Sequence, residues 1–294
     1  IDLSCTLVYD QNNSRIKIGP APVSFRPLPD MKPAPDMNCR PGKETLYVVT
    51  AAPYNADPHN GNDSAPAVQK AIDDAAAKGG GIVFFPPGDY RLGQNLILKE
   101  GVELRGISDG PHHAISGGTI LHVCTGKGKK DPPFIRMKSR SGIQGVLFHY
   151  PDQHIYKVAP YPFLIRGEGE NLYLVNVSAT NPYRMVDLAT FRCDGHYLSY
   201  VAGAPLSVGL RVGGGSVGGC IKNTQFNPSY WAFAKFDNAP RYGVDLATVW
   251  HYENKNLDAM ILGDVKEQVM FQNFVFGSLY GIHLVAENGR GPSP

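Results

Sequence analysis

Residues 54–92 read YNADPHNGNDSAPAVQKAIDDAAAKGGGIVFFPPGDYRL, and this stretch decides the fold. Asp63 and Ser64 offer N-cap oxygens, and Pro66 follows where a first helical turn tolerates a missing N–H. The glycines at 79–81 then end the pattern. One short amphipathic helix is therefore predicted, and its apolar face consists of Val68, Ala71, Ile72, Ala75 and Ala76.

Very short β patterns follow this helix, separated by Gly, Pro and Asn. They occupy residues 82–85, 90–92, 96–98 and 102–104. Such strands are too short for the hairpins of a sandwich and are typical of a solenoid. We expect the helix to cover the open end of the stack, because that end would otherwise expose apolar side chains and unpaired strand edges.

Short apolar runs continue along the rest of the chain. They lie at 118–122, 143–148, 172–177, 197–201, 221–226 and 269–275. Their spacing is roughly 20 to 30 residues with one longer gap, which is within the range of solenoid repeats. Asn residues at the strand ends are predicted to hold turns, because Asn tolerates the left-handed conformation.

These patterns divide the chain into two parts. Residues 46–294 are predicted to form the β-solenoid, cut short at its C-terminal end, as though the chain came from a longer precursor. Residues 1–45 form an N-terminal extension with two strand-like segments, TLVYD and RIKIGP, followed by a Pro-rich run that excludes helix and central strand.

The quoted segment resembles the opening of the pectate-lyase-like proteins. The resemblance covers roughly residues 46–110, and the rest of the chain shares with the family only the spacing of its short apolar runs. It implies an all-β fold, a right-handed single-stranded parallel β-helix with an N-terminal capping helix. Pectate lyases, polygalacturonases, epimerases and phage tailspikes share this opening, so it is specific for the fold and not for the reaction.

The composition of the chain bears on which partners it can bind and on the compartment in which it is found. A net charge of +2 with 18% charged residues gives no strong attraction to nucleic acid or to an anionic membrane. No apolar run reaches 18 residues, so no membrane span is predicted. The Gly- and Pro-rich composition agrees with a secreted or cell-surface protein. Cys5 and Cys39 are candidates for a disulfide, while Cys193 and Cys220 are predicted to be buried thiols.

The catalytic signatures of the resembling family are missing. The polygalacturonase-like branch carries N-T-D, D-D, G-H-G and R-I-K in succession, whereas here Gly195-His196 is followed by Tyr197. The motifs of the calcium-dependent lyases are not evident either. The reaction class therefore stays open between a hydrolase with two carboxylates and a lyase with an Arg, Lys or His base. No cofactor or metal site is predicted, apart from Ca²⁺ in the lyase case.

Titratable residues concentrate in the middle and late coils, where neighbouring coils bring side chains within about 5 Å of each other. The catalytic candidates are Asp187, Arg192, Asp194, His196, Asp237 and Arg241. Asp194-Gly195-His196 is either an acid–base pair presented at a turn or a solvated Asp-Gly turn with a packed His. For Asp237 and Arg241 the alternative is a surface loop with ion pairs. The candidates for substrate binding are Tyr161, Trp231, Trp250, His251 and Glu253.

Two functions follow from these observations. The first is a secreted carbohydrate-active enzyme, a glycoside hydrolase or polysaccharide lyase, that cleaves an extended polysaccharide in a groove along the solenoid. The second is a non-catalytic structural, adhesive or tailspike-like solenoid that binds glycans. The pattern G-x-G-x-x-G at 213–218 is not a dinucleotide site, because a strand-like segment and no helix follows it.

Overall fold

The computed structural model describes residues 5–10, 15–20, 45–108, 117–240 and 244–294, and its secondary structure is mostly β. Its helices are α1 (Ala65–Ala77), α2 (Ser229–Ala232) and α3 (Val244–Asn256), with a 3-10 turn at Ile155–Lys157. Its strands, in chain order, are β1 (Cys5–Asp10), β2 (Arg15–Pro20), β3 (Leu46–Val48), β4 (His59–Asp63), β5 (Gly81–Phe84), β6 (Gly88–Leu92), β7 (Leu96–Leu98), β8 (Val102–Arg105), β9 (Thr119–Val123), β10 (Ile135–Lys138), β11 (Gly142–His149), β12 (Phe163–Glu168), β13 (Tyr173–Ala179), β14 (Arg184–Leu188), β15 (Tyr197–Gly203), β16 (Val208–Val212), β17 (Ser216–Val217), β18 (Cys220–Lys222), β19 (Gln225–Phe226), β20 (Asp258–Leu262), β21 (Val265–Lys266), β22 (Val269–Phe271), β23 (Phe274–Val275) and β24 (Tyr280–Leu284).

The first two strands form a small unit that is described by itself. β1 and β2 pair in an antiparallel sheet, which confirms the two strands predicted for this segment. The Pro-rich run after Pro20 and Cys39 lie outside the described residues, so the Cys5–Cys39 disulfide stays a prediction. Of the two thiols predicted to be buried, Cys193 is fully buried and Cys220 is half-buried.

The remaining strands wind into coils with three faces, apart from the short pair β17 and β21, and all of their pairing is parallel. The first face stacks β3, β5, β8, the first half of β11, of β13 and of β15, then β18 and β22. The second face stacks β4, β6, β9, the second half of β11, of β13 and of β15, then β19 and β23. The third face stacks β7, β10, β12, β14, β16, β20 and β24. The predicted apolar runs from 82–85 to 269–275 all coincide with strands of these faces, and the parallel β architecture is confirmed.

The interior is a set of aliphatic columns, because each coil places an apolar side chain at the same register position as the coil below it. Every member of the column on the first face is almost completely buried, and each contributes roughly 1.5–3 kcal/mol of hydrophobic stabilisation. The column consists of Val83, Leu104, Ile143, Leu174, Leu198 and Ile221.

Single left-handed residues make the corners of the coils. At the corner between the first and second faces the φ angles lie between 50° and 65°, at Gly145, Asn176, Tyr200, Asn223 and Gln272. Gly and Asn are the residues that adopt this conformation most readily. Asn181 adds a link between coils, since its side chain accepts from the Tyr150 N–H and donates to the Tyr150 carbonyl. The structural role predicted for these Asn residues is confirmed.

Helix α1 has the amphipathic face that its sequence predicts. Val68, Ala71, Ile72 and Ala75 are fully buried, and the helix packs against β3, β5, β7 and β8. Asp63 accepts the N–H of Ala65 at 3.0 Å, so it supplies the predicted N-terminal oxygen.

Residues 228–240 and 244–256, here called the lobe, cover part of the second face and were not predicted to be helical. Tyr230 and Trp231 of α2 and Val249 of α3 are fully buried in a second apolar cluster. They pack there with outward-facing residues of the second face such as Leu147 and Ala202. The lobe therefore shields this face from solvent, whereas the third face carries charged side chains.

Candidate functional site

A ladder of charged side chains runs across the third face. Arg136, Arg166, Asp187 and Arg211 occupy equivalent positions on β10, β12, β14 and β16, so their α-carbons are about 4.8 Å apart from strand to strand. Their side chains point outward, because side chains alternate along a strand. The preceding residues all point inward and are fully buried, namely Ile135, Ile165, Val186 and Leu210.

Asp187 is the anionic centre of this ladder. Arg211 donates to both of its carboxylate oxygens, from Nε at 2.9 Å and from Nη2 at 3.1 Å. Arg166 Nε donates at 3.1 Å and the Thr190 hydroxyl at 2.7 Å. Burial alone raises the pKa of Asp187, but the hydrogen bonds from Arg211 and Thr190 outweigh it and lower that pKa to about 2. Asp187 is therefore a permanent anion that orients two guanidinium groups.

A second ion cluster lies beside it on the same face. Arg136 donates to both oxygens of Glu168, from Nε at 2.8 Å and from Nη2 at 2.9 Å. Lys138 Nζ lies 2.5 Å from Oε2 of the same carboxylate. Burial raises the pKa of Glu168, yet the hydrogen bonds from Arg136 and Lys138 dominate and the pKa is lowered. This carboxylate is also held in its ionised form.

Positive charge exceeds negative charge in this region. Four of the cations pair with three carboxylates, those of Asp131, Glu168 and Asp187, and these cations are Arg136, Lys138, Arg166 and Arg211. Arg184 is a fifth cation on the same face. The Arg184 guanidinium lies over the rings of Phe163 and Tyr183 at 5.7 and 5.6 Å. Arg166 Nη2 reaches Asp131 at 2.6 Å, which ties the ladder to the loop carrying exposed Lys129 and Lys130.

Among the predicted catalytic residues, Asp194 and His196 belong to a structural corner. Gly195 has φ 61° and stacks with other left-handed corner residues, Arg140, Asn171, Gly218 and Glu267. Asp194 accepts from Arg192 Nε at 2.8 and 2.9 Å and from the Val217 N–H at 2.9 Å.

His196 is buried, and its Nδ1 lies 2.7 Å from the Cys193 carbonyl. The expected acid–base pair of Asp194 and His196 does not form, because each side chain is engaged by a different partner. The geometry fits the alternative of an Asp-Gly turn with a packed His, and Arg192 serves to hold that turn.

Two of the aromatic candidates for substrate binding, Tyr161 and Trp231, are buried in this structure, so that expectation is corrected. Trp231 is fully enclosed in the lobe's apolar cluster, and Tyr161 packs edge-on against Tyr150 with ring centroids 4.8 Å apart. Both rings fill apolar volume that the sequence pattern could not separate from a surface site.

The other predicted residues are scattered over the lobe. Trp250 is partly exposed and lies beside exposed His251 on α3. Glu253 is completely buried, so it does not reach a substrate from this position. Asp237 is exposed on the loop after α2, and Arg241 lies outside the described residues. Among the predicted site residues that the structure describes, only Asp187 lies in the ladder.

The three arginines of the ladder, Arg136, Arg166 and Arg211, were not predicted as site residues, because they are far apart in the sequence. Arg166 and Arg211 are separated from Asp187 by 21 and 24 positions, so no local cluster announces them. A usable signal was present in IRM, IRG, VDL and LRV, where one charge interrupts an apolar strand at 135–137, 165–167, 186–188 and 210–212. Such a charge must point away from the core of a parallel coil.

Two further observations bear on the site. Within residues 45–108, 117–240 and 244–294, no three His, Cys, Asp or Glu side chains converge in a way that could hold a metal ion. In the same part of the chain, none of the helices combines the length and apolar character that crossing a membrane requires.

Comparison with known proteins agrees with this architecture. The family model described as rhamnogalacturonase A/epimerase, pectate lyase-like, matches residues 48–119. Mannuronan C5-epimerase AlgE1 of Azotobacter vinelandii is 35% identical over 96 residues, which are 30% of this chain and 6% of the epimerase. AlgE3 of the same organism is 34% identical over 96 residues, covering 30% of this chain and 5% of that protein.

A solved structure extends the likeness over most of the chain. The A-module of the Azotobacter vinelandii mannuronan C-5 epimerase AlgE6 has a TM-score of 0.54 and 18% identity, covering 79% of this chain and 56% of the module. The chain thus spans less than two thirds of the length of these relatives. The resemblance to pectate-lyase-like parallel β-helix proteins is confirmed, and the likeness at this identity concerns the fold.

Proposed function

We propose that this protein binds an anionic polysaccharide along its third face and acts on it as a carbohydrate-active enzyme. The observation that carries the proposal is the ladder of Arg136, Arg166, Asp187 and Arg211 with its surplus of positive charge. Its groups repeat at the strand spacing of about 4.8 Å along an extended sheet. Such a surface suits a long polymer with regularly placed anions better than a compact metabolite.

Within the enzyme class, proton abstraction fits the ladder better than hydrolysis. Hydrolysis with two carboxylates needs one of them protonated to act as the general acid. Glu168 and Asp187 both have lowered pKa values, so both stay ionised. The ladder instead supplies cations, which acidify a C5 proton by neutralising the adjacent uronate carboxylate.

The proposed reaction starts when an Arg, Lys or His side chain of the third face acts as the base and removes the C5 proton of a bound uronate. The electron pair left on C5 is stabilised by the cations that hold the carboxylate. Loss of the C4 oxygen then forms the C4–C5 double bond of a lyase product, and the departing chain takes up a proton. Return of a proton to the opposite side of C5 gives an epimer instead. The matched relatives that are named mannuronan C5-epimerases support the second outcome as a candidate.

A non-catalytic glycan-binding solenoid is the second candidate. It is favoured by the saturation of Asp187, whose oxygens already accept from Arg166, Arg211 and Thr190. Both candidates include secretion or display at the cell surface, right-handed winding of the coils, and a role for α1 as a cap over the first coil.

The test is a panel of neutral and acidic polysaccharides, incubated in deuterated buffer with and without chelator. Absorbance near 235 nm would identify a lyase, deuterium at C5 without cleavage would identify an epimerase, and new reducing ends alone would identify a hydrolase. Binding of acidic glycans without any of these products would favour the non-catalytic candidate. Absence of binding to every acidic glycan would contradict the proposal.

A further inference from the structure

Two imidazole rings lie under an aromatic ring of the lobe on the second face. His122 of β9 and His149 of β11 are neighbours in register, with ring centroids 5.4 Å apart. The Phe236 ring stacks on His149 with centroids 3.8 Å apart and planes inclined by 12°. The same ring meets His122 edge-on at 5.8 Å. The lobe thus rests on titratable groups at this point.

The polar partners of the two imidazoles differ. His122 Nε2 lies 2.7 Å from Asp89 Oδ1, so a carboxylate can balance a charge on this ring. His149 is buried, and its Nδ1 lies 2.8 Å from the Thr180 hydroxyl, which carries no charge. A proton added to His149 would therefore create a buried positive charge with no carboxylate bonded to it.

Other charged residues near the stack come from β6 and from the lobe. Arg91 is the register neighbour of His122 on β6, and it would oppose any further positive charge there. Lys235 and Asp237 flank Phe236 in the chain, and both are exposed. The charges of Lys235 and Asp237 are opposite in sign and lie on exposed side chains. The direct contact of the lobe with His149 is the apolar ring of Phe236.

The loop that carries Phe236 has a second attachment nearby. The side-chain amide of Asn238 donates to the carbonyls of Tyr150, Pro151 and Gln153 at 2.8, 3.0 and 3.0 Å. The deeper part of the lobe is held by the apolar contacts of Tyr230 and Trp231. Residues 233–240 are therefore attached by the ring contacts of Phe236, by the Asn238 amide and by the packing of Phe236 and Ala239 against the apolar cluster, and the stack on His149 contains a titratable group.

We propose that the stack of Phe236 on His149 is a pH-sensitive clasp, which holds residues 233–240 against the second face and releases them when His149 is protonated. The lobe connects β19 to β20, and Ile261 of β20 is the register neighbour of Arg211. The lobe is thus continuous in sequence with the strand that borders the charged face. This regulation is separate from the proposed glycan chemistry.

The direction of the pH effect follows from linkage. Burial, with a smaller contribution from His122, lowers the pKa of His149 to about 3 in the closed form. A solvated imidazole in the open form has a pKa of about 6.5. The closed form is therefore fully favoured above pH 6.5 and loses its advantage as the pH falls toward 3. Opening should become more favourable by about tenfold for each pH unit in that window.

The test is amide hydrogen exchange of the whole chain at pH 7 and pH 5, corrected for the intrinsic rates. Amides of β13 serve as the internal reference. We expect the opening constant of residues 233–240 to rise about 30-fold between these pH values, with β13 unchanged. His149→Asn keeps a donor near Thr180 but does not titrate, so its loop should show no such rise. Asp237→Asn is the matched control and should retain it.

Several results would overturn the clasp. Equal protection of residues 233–240 at both pH values in the unchanged protein is one, and a full pH response in His149→Asn is another. If His149→Asn does not fold, the unchanged protein is titrated by NMR. A His149 signal that titrates near 6.5 while the loop stays closed would also contradict the proposal.

Discussion

Arg211 and Asp187 meet through two parallel hydrogen bonds across neighbouring strands, with Nε on Oδ1 at 2.9 Å and Nη2 on Oδ2 at 3.1 Å. The carboxylate is fully buried, while the guanidinium is about one-third exposed. The pair therefore fixes the orientation of a cation that still reaches solvent. Bidentate contacts of this kind combine strength with a defined geometry.

Asp187→Asn should destabilise the coil stack by about 2–4 kcal/mol, because it leaves Arg166 and Arg211 without their shared anion. Chemical denaturation at pH 7 would measure the change. In the unchanged protein, the contribution of Asp187 is present above its usual pKa of 3.8 and is lost as the pH falls through about 2. Asp131→Asn, at the exposed end of the ladder, is the control and should cost less than about 1 kcal/mol.

Arg211→Gln and Arg136→Gln should each weaken binding of an acidic polysaccharide by about tenfold, because each removes one charge-assisted contact. Titration calorimetry at two salt concentrations would measure the loss and the reduced salt dependence. Arg192→Gln is the matched control, since Arg192 is exposed and pairs with Asp194 at a corner. An equal loss of affinity in all three variants would mean that the net charge of the protein, and not the ladder, attracts the polysaccharide.

Glu253→Gln should stabilise the protein at neutral pH. Burial raises the pKa of Glu253 well above its usual 4.5, and neither oxygen has a hydrogen-bond partner. Below pH 4.5 the protonated form therefore folds without the cost of burying a charge, and stability is lost as the pH rises from there through the folded pKa.

We expect Glu253→Gln to raise the free energy of unfolding at pH 7 and to change it little at pH 4, because only the ionised carboxylate is penalised by burial. Denaturation at both pH values is the measurement. Glu170→Gln, at an exposed position, should leave both values unchanged. A gain of the same size at pH 4 and pH 7 would mean that ionisation is not the cause.

Gly142→Ala should displace Tyr173, whose ring lies directly over the α-carbon of Gly142 and whose hydroxyl bonds to buried Glu103. A methyl group there overlaps the ring, and such overpacking costs about 1–3 kcal/mol. Thermal unfolding would report the loss. Gly117→Ala adds a methyl group in open space and should be neutral, so a similar effect of both substitutions would refute the steric explanation.

The fold could be predicted from the sequence where the spacing of apolar residues within one element determines its secondary structure. The apolar face of α1 and the runs that became β5 to β8 predict their own structure, because each pattern fits within one element. α3 was missed, since polar His251, Glu253 and Asn254 interrupt its apolar spacing. The strands of the third face gave a weaker signal, because outward charges such as Arg166 and Asp187 break their apolar runs.

The site was harder to predict than the fold for a physical reason. Asp187 was selected for its neighbours in the sequence, yet its partners Arg166 and Arg211 come from the coils on either side. That pairing depends on the register of the stack, which one sequence does not specify. Asp194 was selected by the same local criterion and proved to hold a corner. The local density of charged residues thus selected both Asp187 and Asp194. It did not distinguish the ladder position of the first from the corner position of the second.

The connection from the second face to the third differs greatly in length from coil to coil. It holds four residues after β13, at 180–183, and 31 residues after β19, at 227–257. Even so, β16 and β20 pair in uninterrupted register from Val208 opposite Asp258 onward. The 31-residue connection is thus accommodated without disturbing the register of the third face. New groups can be added beside the charged face there while the stacked interior keeps its dimensions.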